Sequence, residues 1–335
     1  MSALGTGALR TNEWARLIGL LLLAVAPFIG VYPIFVMSAL CFAIFAMAFN
    51  LLLGYTGLLS FGHAAFFGGA AYVTGWLVHE QHWTPELGLL AGTLAAGAAG
   101  LVMGALAIRR QGIYFAMVTL ALAQLLAFGF EHASFTGGED GIQGIQRGKL
   151  LGLVSLDSDM ALYYFVLAVF VGAFALVLRI VHSPYGQVLK AIRENEPRAI
   201  SLGYDVDRYK LLAFVLSASL AGLAGGLKSL VLHLATGQDV TWEKSGEVIL
   251  MTLLGGLGTF VGPVVGAFTV EGLQHFLSDR VGSWTNVIIG CTFVLCVVAF
   301  RKGIVGEIVA LARRRKASRS LAPAVGSIAT GPAAE

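Results

Sequence analysis

Charge is what this sequence has least of. Charged residues make up 12% of the 335, against about 25% in a soluble domain. Between Arg16 and Arg109 there is no Lys or Arg at all, and Glu80 and Glu86 are the only acids. This excludes a soluble globular domain and leaves nothing in the first third of the chain to oppose insertion into lipid. Strict alternation of apolar and polar residues is also missing, which excludes an outer-membrane barrel. In hydrocarbon every backbone group needs an internal partner, so closed helices are what remain. Cysteine is scarce: Cys41, Cys291 and Cys296 all lie in apolar runs, where the thiol acts as a small hydrophobe rather than a disulfide or metal ligand. No His/Asp/Glu cluster has metal-binding or acid–base spacing, so a membrane-embedded enzyme finds no support.

What is present is apolar length. Hydrophobic residues reach 57%, and a span needs roughly 20 of them to cross about 30 Å of hydrocarbon. Candidate spans are 15–29, 31–53, 57–79, 86–107, 112–130, 160–181, 210–234, 246–258, 261–276 and 284–301, predicting an all-α polytopic bundle of about nine or ten spans. The run 17–29 behind Arg10 and Arg16 imitates a signal peptide. Pro27 would follow the cut, however, and the next apolar run starts at once, so it reads as a retained first helix.

Short cytoplasmic loops carry the excess of Lys and Arg. Placing residues 1–14 inside puts Arg109, Arg110, the charged stretch 182–209, Arg301, Lys302 and the Arg313, Arg314, Arg315, Lys316 cluster all on the cytoplasmic side. This needs 246–276 to cross twice, and Gly255, Gly256, Gly258, Gly262 and Pro263 supply the break. The membrane part then covers 15–302, with a cytoplasmic tail at 303–335 whose Ala/Ser/Gly/Pro-rich end reads as disordered. The loop 131–159 is external. Its SFTGGEDGIQGIQRG lacks the Gly-Lys-Ser/Thr ending of a phosphate-binding loop, so it reads as a surface loop able to meet a periplasmic partner. Trp14, Trp76, Trp83, Trp242 and Trp284 fall near span ends, as an interfacial belt would.

Two glycine-broken apolar segments share the opening LLGxxG: LLLGYTGLLSFGHAAFFGGAAY at 51–72 and LLGGLGTFVGPVVGAF at 253–268. Paired breaks of this kind point to a transport pathway. Close helix packing through small residues explains many of the 43 glycines equally well. The first break leaves open whether 57–79 crosses or re-enters.

The stretch 182–209, HSPYGQVLKAIRENEPRAISLGYDVDRY, gathers Lys190, Arg193, Glu194, Glu196, Arg198, Asp205, Asp207 and Arg208 between two hydrophobic runs. Val188, Leu189 and Ile192 sit at helical spacing, predicting a short amphipathic helix over 186–195. Glu196-Pro197 breaks it and Pro197 opens a second helix over 197–202, stopped at Gly203, with Asp205 or Asp207 capping the next span. Four acids among the bases argue against an element that merely lies on anionic headgroups.

Inside the spans, His63 is either a pathway residue or a packing histidine bonded to a freed backbone carbonyl. Lys228 and Glu271 are intramembrane charges; an ion pair between them is one reading, and snorkelling is the other for Lys228. Gln124 and Thr119 offer polar groups to a pathway or to a neighbouring helix. An ion-coupled secondary transporter would need more midplane carboxylates than these.

With these residues in view, ENEPRAISLGYD resembles the cytoplasmic coupling loop of ABC importer permeases, in the form found in branched-chain amino acid permeases of the LivM type. LLLGYTGLLSFGHAAFFGGAAY, TGGEDGIQGI and LLGGLGTFVGPVVGA agree with that family in the same order, so the resemblance covers roughly 50–300. It implies a type II ABC importer permease fold. Arg193, Glu194, Asn195, Glu196, Pro197, Ala199 and Gly203 would form the ATPase-coupling site, and His63, Gln124, Lys228 and Glu271 are pathway candidates. Two cytoplasmic ATPase subunits would hold the ATP and Mg, leaving no cofactor and no catalytic residue in this chain. A second homologous permease of the LivH type, a periplasmic solute-binding protein and membrane lipid complete the expected partners, with no nucleic acid. Branched-chain amino acids are the default substrate, while related permeases serve urea, short amides and other small solutes.

Overall fold

Long apolar runs punctuated by Gly, Pro and polar caps fold as a bundle in which each helix stops where the sequence supplies a stop. The computed structural model describes residues 32–281 apart from Leu151 and Leu153, with a few positions on either side (23–25, 27, 30, 287, 288, 290, 291, 294 and 303–307). The expected first and last spans, the tail, Trp14 and Trp284 fall wholly or largely outside these residues.

Among the described residues the helices are α1 (Pro33–Thr56), α2 (His63–His79), α3 (Pro85–Ala107), α4 (Ile113–His132), α5 (Asp159–His182), α6 (Pro184–Glu194), α7 (Glu196–Ser201), α8 (Val206–Leu232), α9 (Trp242–Gly255) and α10 (Gly262–Val281). The fold is all-α. Five of these, α1, α3, α4, α5 and α8, are long and apolar enough to cross a membrane by length and composition. The shorter α2 and α9 pack among them.

The centre of the bundle is α1 and α8. From Val36 to Leu52 α1 is buried throughout, and α8 packs on α1, α2 and α3. That approach is close because of glycine: a Cβ on Gly225 would overlap the Phe67 carbonyl of α2, and one on Gly222 would overlap Ala96 of α3. Small residues at such crossings let backbones meet and gain dispersion contact. The outer helices expose apolar side chains instead, among them Leu94 (64%) on α3 and Leu125 (66%) on α4. An apolar surface of that extent needs lipid or another subunit over it.

The expected span 57–79 is helical only from His63. Gly57 takes φ +78° at the end of α1 and returns its N–H to Leu53 O at 3.2 Å, and the stretch 57–62 then runs unwound. Non-helical backbone at membrane depth survives only where protein satisfies it. Here the Phe61 N–H donates to Thr119 Oγ1 (3.3 Å), the Gly62 N–H to Ser60 Oγ (3.1 Å) and the Ala64 N–H to Ser245 Oγ (2.9 Å). The second break falls between α9 and α10, at Gly256 (φ +121°) and Gly258 (φ +71°).

The two ends of the bundle differ. At one, α6 lies against the end of α1, and α7 packs on α6 and α8. At the other, the loop 131–159 is folded down rather than free. Its strand β1 (Ile142–Gln143) pairs antiparallel with β4 (Leu234–Ala235), and β2 (Lys149–Leu150) pairs with β3 (Val154–Ser155). Arg147, 5% exposed, pairs with Asp159 at 2.7 Å, and His233 Nδ1 bonds the Ile145 carbonyl at 2.8 Å.

Candidate functional site

The charged stretch builds a small rigid element from its own caps. Ser183 accepts the Gly186 N–H at 3.3 Å and Pro184 opens α6. Asn195 is extended, and its side-chain oxygen accepts the Arg198 N–H at 3.1 Å, so it caps α7 while ending α6. The break thus lies one residue earlier than Glu196-Pro197 suggests. An Asx cap followed by Pro in the first turn is the readable signal for it. Gly203 (φ +87°) ends the turn after α7, and Asp205 accepts the Arg208 N–H at 3.4 Å to start α8. Ile192, Ala199 and Val206 are buried together, with Val188 and Tyr209 packed over them. Tyr185 stacks on Tyr209, ring centroids 5.6 Å apart, and donates to the Tyr209 carbonyl at 3.0 Å. Burial lifts the Tyr185 hydroxyl above the usual phenol range, keeping it a neutral donor.

Of the residues expected at the coupling site, some face outward and some inward. Glu194, Pro197, Arg198 and Gly203 are exposed, next to two apolar residues with no cover, Ile200 (57%) and Leu202 (68%). Ala199 is inside the element's own core. Glu196 turns toward the bundle: Lys210, 3% exposed on α8, pairs with it at 2.6 Å, and Gln111 between α3 and α4 donates to the same oxygen at 3.3 Å.

Arg193 also reaches back to the bundle. Its Nη1 donates to the Gly54 carbonyl at the end of α1, and its stem lies against Gly57, where a Cβ would come within 3.3 Å of Cγ. A Cβ on Gly258 would lie 3.2 Å from Nη1. Asn50, one turn before Gly54, donates to the Thr259 carbonyl and accepts the Gly258 N–H, both at 2.9 Å. The two LLGxxG segments therefore meet each other and Arg193 at one node. His182 stacks on Phe260 at 5.0 Å beside Tyr55, and Lys190 stands over the Tyr55 ring at 5.8 Å. Asn50 carries no sequence signal of this role, because its partners lie more than 200 residues away in the chain.

The interior candidates are not gathered into one site. His63 is fully buried, 2.8 Å from Ser217 Oγ and ringed by Phe49, Phe66 and Phe214. Its partner is a hydroxyl, not a freed carbonyl. Gln124 is exposed on the outer side of α4, whereas Thr119 is buried and supports the 57–62 stretch. An ion pair between Lys228 and Glu271, one of the two readings of Lys228, does not form. Lys228, 7% exposed, pairs instead with Asp239, 2% exposed, on the turn before α9. Snorkelling is excluded by the same burial. Asp239 gives no sign of being that partner, because loop residues carry no helical phase. Glu271 accepts from Ser38 Oγ at 2.6 Å. Among the described residues no group of His, Cys, Asp and Glu is placed to hold a metal.

Comparison with known proteins bears on this geometry. A family model described as the branched-chain amino acid transport system permease component matches residues 33–297. The high-affinity branched-chain amino acid transport system permease protein LivM of Escherichia coli (strain K12) is 28% identical over 320 residues, covering 86% of this chain and 74% of that protein. The probable branched-chain amino acid transport permease protein LivH of Methanocaldococcus jannaschii is 27% identical over 124 residues, covering 33% of this chain and 37% of its own length. The ribose import permease protein RbsC of Bacillus subtilis (strain 168) is 28% identical over 170 residues, covering 48% and 50%.

Proposed function

Because this chain belongs to the permease components of branched-chain amino acid transport systems, we propose that it is one membrane-spanning half of an ATP-driven importer that moves branched-chain amino acids inward by alternating access. A homologous permease of the LivH type forms the other half. Two cytoplasmic ATPase subunits bind and hydrolyse ATP with Mg, and a periplasmic binding protein delivers the substrate. The α6–α7 end and both chain termini face the cytoplasm, in line with the distribution of Lys and Arg.

The observation that carries this reading is the α6–α7 element itself. It is capped at every break, has its own core, leaves Ile200 and Leu202 uncovered beside Arg198 and Glu194, and is tied to the bundle by Arg193 and Glu196. A partner docked on that face moves a rigid body, and the body pulls on the ends of α1 and the α9–α10 turn. ATP binding that brings the two ATPases together thus has different contact energy with the two permease packings, which is what shifts their populations.

Replacing Ile200 and Leu202 together with Asp tests this without touching a buried contact. The double variant inserts normally but loses the ATPase subunits on purification, and ATP-dependent leucine uptake falls at least about 10-fold, equivalent to about 1.4 kcal/mol of docking energy. Unchanged uptake with the ATPases still bound would overturn the assignment of this face.

A further inference from the structure

At the end of the bundle remote from Arg193, the inward-facing charges of α8, α9 and α10 pair off, among the described residues, with one exception. Lys228 is held by Asp239, and Lys244 pairs with Glu247 at 2.7 Å. The second Glu247 oxygen accepts from Gln274 Nε2 at 2.7 Å. Glu271 is left over. Its Oε1 accepts from Ser38 Oγ at 2.6 Å, while Oε2 is buried with no hydrogen-bond partner among the described residues. A carboxylate so placed, inside a membrane protein, with Lys228 and Lys244 acting on it through space but no cation bonded to it among the described residues, is costly to keep charged and is a candidate functional group.

Glu271 and Ser38 line a cavity of about 330 Å³ between the start of α1, the end of α8 and the second half of α10. Ile34, Phe35 and Leu232 wall it, and Phe35 is held by its stack on His275, centroids 5.1 Å apart. One anionic group beside an aliphatic and aromatic wall, with Tyr32, Gln274 and His275 completing the lining, is chemistry that suits a small primary ammonium bearing an apolar side chain.

We propose that this cavity is a substrate subsite on the permease. The Glu271 carboxylate receives the α-ammonium of the amino acid once its buried Oε2 turns toward the cavity, Ser38 fixes the carboxylate through Oε1, and Ile34, Phe35 and Leu232 contact the alkyl side chain. The assignment rests on the transport function proposed above and adds where in the chain the cargo is held. The ligand brings a directly bonded cation to a carboxylate that Lys228 and Lys244 reach only through space.

The test uses the assembled transporter with its ATPases and binding protein in vesicles. Glu271→Gln lowers ATP-dependent leucine uptake at least about 10-fold while ATP hydrolysis continues, and Glu271→Asp restores part of it. Leu232→Trp, which fills the apolar wall, lowers uptake of leucine more than that of valine; a glutamate with only a structural role would not make side-chain preference depend on Leu232. Wild-type uptake by Glu271→Gln, or a Leu232→Trp variant that slows leucine and valine equally, overturns the subsite and leaves the transport function standing. Absence of ATP-dependent amino acid uptake by the wild-type complex overturns both.

Discussion

Two glycine-broken stretches with the same LLGxxG opening behave differently a few residues later. After Gly57 the chain runs unwound to Gly62 before α2 begins, whereas after Gly255 a break of the same length, 256–261, folds as a turn before α10 begins at Gly262. In the unwound stretch Thr119 and Ser60 take up amides and Ser245 holds the first turn of α2; the second break is held by Asn50 of α1 and by its own Thr259, which donates to Gly256 O at 2.7 Å and accepts the Gly262 N–H at 3.1 Å. Glycine permits a break, and neighbouring hydroxyls set the course of the chain beyond it. The two breaks then converge on Asn50 and Arg193, so their likeness in sequence accompanies a shared position at one end of the bundle.

Removing Asn50 separates the breaks most. Asn50→Leu leaves the Gly258 N–H and the Thr259 carbonyl without their partner in a buried place, and an orphaned buried group costs about 1–3 kcal/mol. The variant should melt at a clearly lower temperature than the wild type and lose transport. If it melts like the wild type, the breaks do not hold each other.

Arg193→Ala should act more on coupling than on stability. Its guanidinium sits at the rim of the bundle, and a hydrogen bond to a charged donor contributes about 1.5–3 kcal/mol, yet α6 keeps its own core without it. Uptake should fall several-fold while ATP hydrolysis persists and melting changes less than in Asn50→Leu. Loss of hydrolysis and uptake in equal measure would show that Arg193 serves docking rather than transmission.

The smallest effect separates the two glycines. Gly57 and Gly258 both hold positive φ, +78° and +71°, so Ala at either costs a similar roughly 1–2 kcal/mol of backbone strain. A methyl on Gly258 would also lie 3.2 Å from Arg193 Nη1 and 3.3 Å from the Gly54 carbonyl, crowding both donor and acceptor, whereas at Gly57 it meets only the Arg193 stem. Gly258→Ala should therefore slow uptake more than Gly57→Ala at matched loss of stability, and equal uptake would remove Arg193 from the path between the breaks.

Legibility tracks sequence distance. The helix pair of 182–209 can be read closely, because its caps are local: Ser183, Asn195 and Asp205 each bond an amide three residues on. Glycine supplies the breaks in the same local way. The side on which each expected coupling residue lies is not legible. Glu196 and Arg193 face the bundle because Lys210 and Gly54 are there to receive them, and nothing near them in sequence says so. The Lys228 partner escapes the sequence for the reverse reason. Asp239 is only 11 residues away, but the chain between them leaves the helix and returns.

The sequence by itself determined that this chain is a membrane bundle, that glycine breaks it at two places, and that the charged stretch folds as a capped helix pair, because hydrophobic length, caps and positive-φ glycines act over a turn or two. Only the tertiary structure decided that the two glycine breaks share Asn50 and Arg193, and that Ser38 meets Glu271 across 233 residues of chain. Such contacts are set by how helices dock, and docking depends on the shapes of all the helices together rather than on any stretch read alone.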